Sequence, residues 1–269
     1  MYRITKLITA VLFIYCQLAA QEFLPVVTNF NKNDYHASNQ NWAVGQSEDG
    51  IMYFGNNLGL LQYDGSSWEL LQIPQNKIVR SILVRGNRIY IGSFEEFGYF
   101  EKNLCGQLQY TSLSDRLRGY EMKNDEIWTI IEINNSIVFQ SFTTYFTYQN
   151  NETKGYRCPY TFLFFNNYKN NLYTHTEQSG FCSFDLKTQT ARPVPNKVLQ
   201  SPVISVLSFD KKNALIVTKS SGLYLFDGST FSAFRTDIDK ELKQWEVNRV
   251  ALNKEGVIVL GTIQNGITA

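Results

Sequence analysis

Short apolar or alternating runs, each cut by a turn, recur along most of the chain. One unit reads 44–50, 51–55, 59–65 and 67–71, with Asp49-Gly50 and Asp64-Gly65 at its breaks. Alternation with period two is the signature of half-buried strands. Asp-Gly pairs tolerate the positive φ of tight hairpin turns. The unit therefore predicts a meander of four short strands. It recurs at 81–84, 88–92 and 98–100; at 127–133, 137–140 and 145–148; and at 161–166, 171–174 and 180–185. It recurs again at 203–209, 214–218, 222–227 and 230–234, then at 247–253, 257–261 and 266–267.

The residues ending each second strand align as Gly55, Gly92, Gln140, Thr174, Thr218 and Gly261, spaced by 37, 48, 34, 44 and 43 residues. Propeller blades of four strands around a channel repeat at about 40–50 residues. The expected fold class is all-β: a β-propeller with about five full blades and a sixth that stops at Ala269 inside its third strand. On this reading the ring is incomplete and the chain is a fragment of a longer protein. Residues 23–30 are expected to supply an outer strand to a final blade. Two short helices are expected between blades, over 237–245 and 118–126.

Glu48-Asp49-Gly50-Ile51-Met52-Tyr53-Phe54-Gly55-Asn56-Asn57-Leu58-Gly59-Leu60-Leu61-Gln62-Tyr63-Asp64-Gly65 resembles the two-component regulator propeller repeats of Bacteroidetes-type sensor proteins. Val257–Thr262 followed by Asn265-Gly266-Ile267 resembles them again, as do Asn41-Trp42 and the stretch 89–99. The resemblance covers about residues 25–269 and departs from the pattern at Gln140 and Thr174. It implies a periplasmic propeller that precedes a triple-tyrosine domain, a membrane helix and a cytoplasmic kinase or helix-turn-helix output domain.

Arg3 and Lys6, an apolar run over 7–18 and Ala19-Ala20 read as a secretory signal. The run is shorter than the roughly 20 apolar residues of a membrane span. The expected domains are therefore a signal peptide, 1–20, and a sensor propeller, 21–269, that is periplasmic or secreted and has no membrane helix. A lipid anchor at Cys16 is disfavoured by the bulky Tyr15 before it.

Composition narrows the function. The 25 basic and 24 acidic residues become 23 and 24 once Arg3 and Lys6 leave with the signal. No concentrated basic footprint remains, so no nucleic-acid contact is expected. A hydrophobic share of 43% with only 18% charged residues excludes disorder. The aromatic residues, 14% of the chain, are expected to pack between blades.

His36 and His175 lie in different repeats and read as surface or edge residues. No metal, cofactor or catalytic motif is expected. The Asp-Gly pairs read as turns rather than calcium ligands. Cys105, Cys158 and Cys182 remain after the signal, and either a Cys158–Cys182 bridge or three thiols fits the spacing.

In such a meander, the loops leading into the inner strands and those joining strands two and three open on one face. The candidate ligand-binding residues there are Trp42, Asn57, Arg80, Glu95, Glu96, Trp128, Gln178 and Arg249. Asn41, Asp125, Asn248, Asn56, Thr143, Glu177, Gln264 and Asn265 lie in the same loops. Amides, charges and indoles suit a polar, sugar-like ligand such as an oligosaccharide. The same side chains also suit strand capping and closure of the channel mouth.

The expected function is non-enzymatic ligand sensing by the N-terminal part of a membrane-spanning signal-transduction and transcription regulator. A small polar ligand and, in the full-length protein, a second copy are the partners this reading allows. A propeller glycoside hydrolase or lyase using Glu95 and Glu96 stays open, since such chemistry needs only two carboxyls about 5–9.5 Å apart. A secreted protein-interaction propeller stays open too.

Overall fold

The computed structural model describes residues 28–253 and 256–268. The signal at 1–20 and residues 23–27 of the expected outer strand lie outside the described residues. Phe30 is in no strand and packs on Tyr63 and Trp68, ring centroids 5.2 and 5.3 Å away.

The chain forms a six-bladed propeller. Blade one is β1 (Asn41–Gln46), β2 (Met52–Asn56), β3 (Gly59–Tyr63) and β4 (Trp68–Leu71). Blade two is β5 (Ser81–Arg85), β6 (Arg88–Ser93), β7 (Glu96–Lys102) and β8 (Leu108–Ser112). Blade three is β9 (Thr129–Ile133), β10 (Ser136–Gln140), β11 (Thr144–Gln149) and β12 (Glu152–Arg157). Blade four is β13 (Asn166–Tyr168), β14 (Asn171–Thr176), β15 (Gly180–Asp185) and β16 (Thr190–Pro193). Blade five is β17 (Val203–Ser208), β18 (Ala214–Thr218), β19 (Leu223–Phe226) and β20 (Phe231–Phe234). Blade six has three described strands, β21 (Val247–Leu252), β22 (Ile258–Thr262) and β23 (Ile267–Thr268). Each blade is an antiparallel sheet in chain order.

Helix α1 (Lys32–Tyr35) precedes blade one, and α2 (Asp239–Trp245) joins blades five and six as expected. The helix expected over 118–126 is not formed. Gly119 and Asn124 adopt left-handed φ of 72° and 58°, and Asp125 ties the loop by accepting from Lys123 N–H at 3.1 Å and Tyr120 O–H at 3.0 Å. These bonds give the backbone an alternative to helix.

Inner strands pack in chain order, β1 on β5, β5 on β9, β9 on β13, β13 on β17 and β17 on β21. Among the described residues β21 does not pack on β1 in the same way. Each of the five junctions holds an apolar cluster. Tyr53, Leu60, Val79 and Ile91 fill the one between blades one and two, and Val217, Leu223, Leu242 and Leu260 the one between blades five and six. The aromatic residues concentrate there as expected: Phe97, Phe139 and Phe146 meet between blades two and three, and Phe162, Phe165 and Phe184 between three and four. Backbone bonds cross the same junctions, from Val79 N–H to Asn56 C=O at 3.0 Å, Ile127 to Ser93 at 2.9 Å and Phe162 to Phe142 at 2.7 Å.

Gly55 and Gly92, next to last in β2 and β6, are glycine because the next blade's connector crosses them. A Cβ at Gly92 would lie 2.4 Å from Ile127 Cγ2, and one at Gly55 would lie 2.7 Å from the Val79 carbonyl. The strand expected over 161–166 is displaced to Asn166–Tyr168, with Phe162 making one isolated bridge to Thr176. Outer strands β8, β12 and β16 complete blades two to four; being largely polar, they are not legible as strands in the sequence.

Cys158 and Cys182 are both free and buried, so the bridge reading is corrected to thiols. Burial pushes each thiol up to about 11. His36 is exposed. His175 is not a plain surface residue: it is half-buried and its Nδ1 accepts from Val203 N–H at 3.4 Å, joining blades four and five. The Asp-Gly pairs form turns, with φ of 98° at Gly65 and 108° at Gly228 and with Asp64 and Asp227 accepting from the N–H groups that follow.

Candidate functional site

On the face where the connectors lead into the inner strands, blades one to three bring four expected residues together. The β1–β2 register slips between Asn41 and Ala43, leaving Trp42 as the extra residue. Such bulges re-aim a side chain, and the Trp42 indole Nε1 donates to Asn57 Oδ1 at 2.7 Å. Asn56, fully buried, fixes both loops. Its Oδ1 accepts from Ser38 and Leu58 N–H at 3.1 and 3.0 Å, and its Nδ2 donates to Ser38 C=O at 2.7 Å.

Arg80 precedes β5 and is anchored by its N–H to Gly92 C=O at 2.8 Å. Its guanidinium lies 3.7 Å from the Trp42 ring centroid and 5.3 Å from that of Trp128. Trp128 precedes β9 and is anchored by its N–H to Gln140 C=O at 2.9 Å. The two indoles meet edge-on at 6.2 Å, and Phe142 flanks Trp128 at 5.6 Å. Arg80 Nε donates to the Glu126 carboxylate, and the two side chains are only 15% and 23% exposed. A planar guanidinium suits both indole stacking and carboxylate pairing. Among the described residues, the Trp128 indole N–H has no hydrogen-bond partner and Arg80 Nη1 is buried without one.

The other expected residues lie elsewhere. Glu95 sits in the β6–β7 turn at φ 49°, and its Oε1 accepts from Asn124 N–H at 2.7 Å. Glu96 is 6% exposed on β7, and its Oε1 accepts from Tyr110 O–H at 2.7 Å and Ser112 O–H at 3.0 Å. The two carboxylates thus bond to different elements, Glu95 to the 118–126 loop and Glu96 to β8. Gln178 is exposed in the β14–β15 turn. Arg249, on β21, stands over Phe164 at 4.2 Å. Glu126 and Phe142 complete the cluster and are not among the candidate ligand residues; in the sequence Glu126 stands out only as an acid between blades. Among the described residues no group of three or more His, Cys, Asp or Glu could hold a metal.

No protein-family model and no curated protein matches the chain. Solved structures do. The extracellular domain assigned to the hybrid two-component system BT3049 of B. thetaiotaomicron is 16% identical with a TM-score of 0.63, over 92% of this chain and 34% of that one. The corresponding domain of BT4673 from the same organism is 16% identical with a TM-score of 0.63, over 84% and 31%. A catalytically inactive virginiamycin B lyase from Staphylococcus aureus, solved with quinupristin, is 11% identical with a TM-score of 0.62, over 84% and 78%. The chain spans about a third of the length of the two extracellular domains. At these identities the likeness establishes the propeller fold.

Proposed function

We propose that this chain is an exported, non-enzymatic sensor propeller that takes a polar, sugar-like ligand at the mouth built by Trp42, Asn57, Arg80 and Trp128. The observation that carries the reading is the Arg80 guanidinium set against two indoles, one of which keeps its N–H unused. An apolar sugar face would lie on Trp128, with hydroxyls on its N–H, on Asn57 Nδ2 and on the Arg80–Glu126 pair.

The basic, apolar, small-residue leader supports export. Among the described residues no helix is long and apolar enough to cross a membrane. The likeness to extracellular domains assigned to two-component systems supports a sensor context. In a membrane-spanning regulator, such a ligand would act by favouring one arrangement of the sensor dimer.

The test is titration of a neutral oligosaccharide panel, read by tryptophan fluorescence and calorimetry. Saturable binding that is lost in Trp128→Ala is the expected result. A panel without a binder, or binding that Trp128→Ala leaves intact, overturns the reading.

A lyase reading draws on the virginiamycin B lyase likeness. It predicts turnover that falls in Glu95→Gln or Glu96→Gln, although Glu96 is engaged inside its blade.

A further inference from the structure

A cavity of about 430 Å³ opens at the rim of blade five, away from the Trp42–Trp128 mouth. Its volume falls within the range of about 300–1,000 Å³ usual for small-molecule sites. Three elements wall it: the connector from β16 to β17 around Lys197, the β18–β19 turn at Ser220, and the end of β20 with α2, which supply Arg235, Asp239 and Lys243.

The walls are tied together. Tyr224 O–H is within 3.2 Å of Val198 C=O and 3.1 Å of Ser221 C=O. Ser221 Oγ donates to Ser201 Oγ at 2.8 Å, and Ser220 N–H donates to the same oxygen at 3.0 Å. These bonds fix the β16–β17 connector against the β18–β19 turn. Its floor is apolar, with Leu223 buried and Phe234 half-buried.

The charge is lopsided. Lys197, Arg235 and Lys243 face one carboxylate, Asp239. That carboxylate is already engaged: Oδ2 pairs with Arg235 Nη1 at 3.1 Å, and Oδ1 accepts from Thr236 N–H at 2.9 Å and its hydroxyl at 3.0 Å. Among the described residues neither Lys197 nor Lys243 has an ion-pair partner. The Ser220 hydroxyl and the Gln200 amide are likewise unengaged there.

We propose that this rim cavity binds an organic phosphate or sulfate ester, with the oxyanion between Lys197 and Lys243, the Ser220 hydroxyl beside it, and the organic body on Leu223 and Phe234. Ammonium groups and a hydroxyl donate to a tetrahedral oxyanion, and hydrogen bonds between charged groups are the strong ones. The floor requires an apolar or flat body. The site is separate from the mouth, where Arg80 is neutralised by Glu126, so it stands whether or not the mouth takes a sugar.

Calorimetric titration of the chain with phenyl phosphate and with phenyl sulfate, phenol serving as the uncharged control, tests the site. At least one ester should bind while phenol does not, and the affinity should fall about tenfold on raising the salt to about 1 M, where the screening length shrinks to about 3 Å. Lys197→Ala with Lys243→Ala should abolish that binding while leaving the melting curve in place, since both side chains are exposed. Phosphate alone, sulfate alone or both identifies the source of the oxyanion. Failure of both esters, equal binding of phenol, or binding unchanged in the double variant overturns the proposal.

Discussion

The Gln140 carboxamide accepts from the backbone N–H of Phe165 at 2.7 Å while its Nε2 donates to the carbonyl of Leu163. A side chain of blade three thus satisfies one donor and one acceptor on the connector into blade four. Gln140 occupies the position held by Gly55 and Gly92 in the first two blades. At those glycines the following connector lies almost on the Cα. At Gln140 the connector stands off and the amide fills the gap, so β13 starts only at Asn166.

Removing that amide should expose the substitution. Gln140→Ala leaves the buried Phe165 N–H and the part-buried Leu163 C=O without this partner, and an orphaned buried group costs about 1–3 kcal/mol. The loss should appear as a lower urea midpoint with an unchanged slope. Gln140→Glu should not rescue it, because a carboxylate accepts from Phe165 but cannot donate to Leu163. A Gln140→Ala protein as stable as the parent would show that water or a shifted connector replaces the amide.

The mouth makes a separate energetic prediction. Arg80 touches Trp42 as well as Glu126, so Arg80→Met should destabilise more than Glu126→Gln. The stacking contributes about 0.5–2 kcal/mol, and the difference between the two variants should lie in that range. Combining Trp42→Ala with Arg80→Met should cost less than the two single losses together, because residues in contact are not additive. Chemical denaturation of the single and double variants and the parent measures this coupling, and strict additivity would mean that the stacked geometry contributes nothing.

The period of the repeat makes the fold legible because each blade buries its faces only against neighbours, which forces a similar strand pattern at each turn of the ring. The outer strands of blades two to four escape for the same reason in reverse. Sequences such as Glu152–Arg157 and Thr190–Pro193 lie at the outer edge of their blades and carry little apolar alternation. The repeat aligns blade four on Thr174, whereas its second strand ends at Thr176. The hydroxyls of Thr176, Thr218 and Thr262 all accept at 3.0 Å from the N–H three residues on. A Thr-x-x-Ser/Asn-Gly pattern in blades four to six is therefore the better marker. At the mouth, Trp42, Arg80 and Trp128 are legible from their place before or at the start of inner strands. The burial of Glu96 is not: Glu95 stays in the turn while Glu96 begins β7, and its cover by β8 depends on a strand the sequence pattern does not reveal.

The thiols offer a test of the core. Folding raises the Cys158 and Cys182 thiols to about 11 through burial, and Cys105 is exposed. Alkylation needs a thiolate that the reagent can reach. A brief iodoacetamide pulse on the folded chain should therefore alkylate Cys105 and spare the other two, and all three should react in denaturant. Peptide mass mapping reads the pattern. Native labelling of Cys182 would mean that blade four opens readily.

The Glu96–Tyr110 pair predicts a pH dependence at the alkaline end. Burial first, and then the Glu96 carboxylate beside it, hold the Tyr110 phenol far above its ordinary value. An unfolded tyrosine ionises near about 10. A group raised on folding contributes stability that is full below its unfolded value and is lost as pH climbs beyond it. Stability should therefore hold to about pH 10 and fall above it. Tyr110→Phe should flatten part of that fall, since burial raises Tyr53, Tyr90, Tyr145 and Tyr173 as well. At neutral pH the same variant should be less stable by about 1.5–3 kcal/mol, because Glu96 keeps Ser112 but loses its shorter bond, and bonds to charged groups contribute that much. Urea midpoints of the parent and Tyr110→Phe across pH 7 to 11 decide the matter; parallel curves would sink the assignment of the alkaline loss to Tyr110.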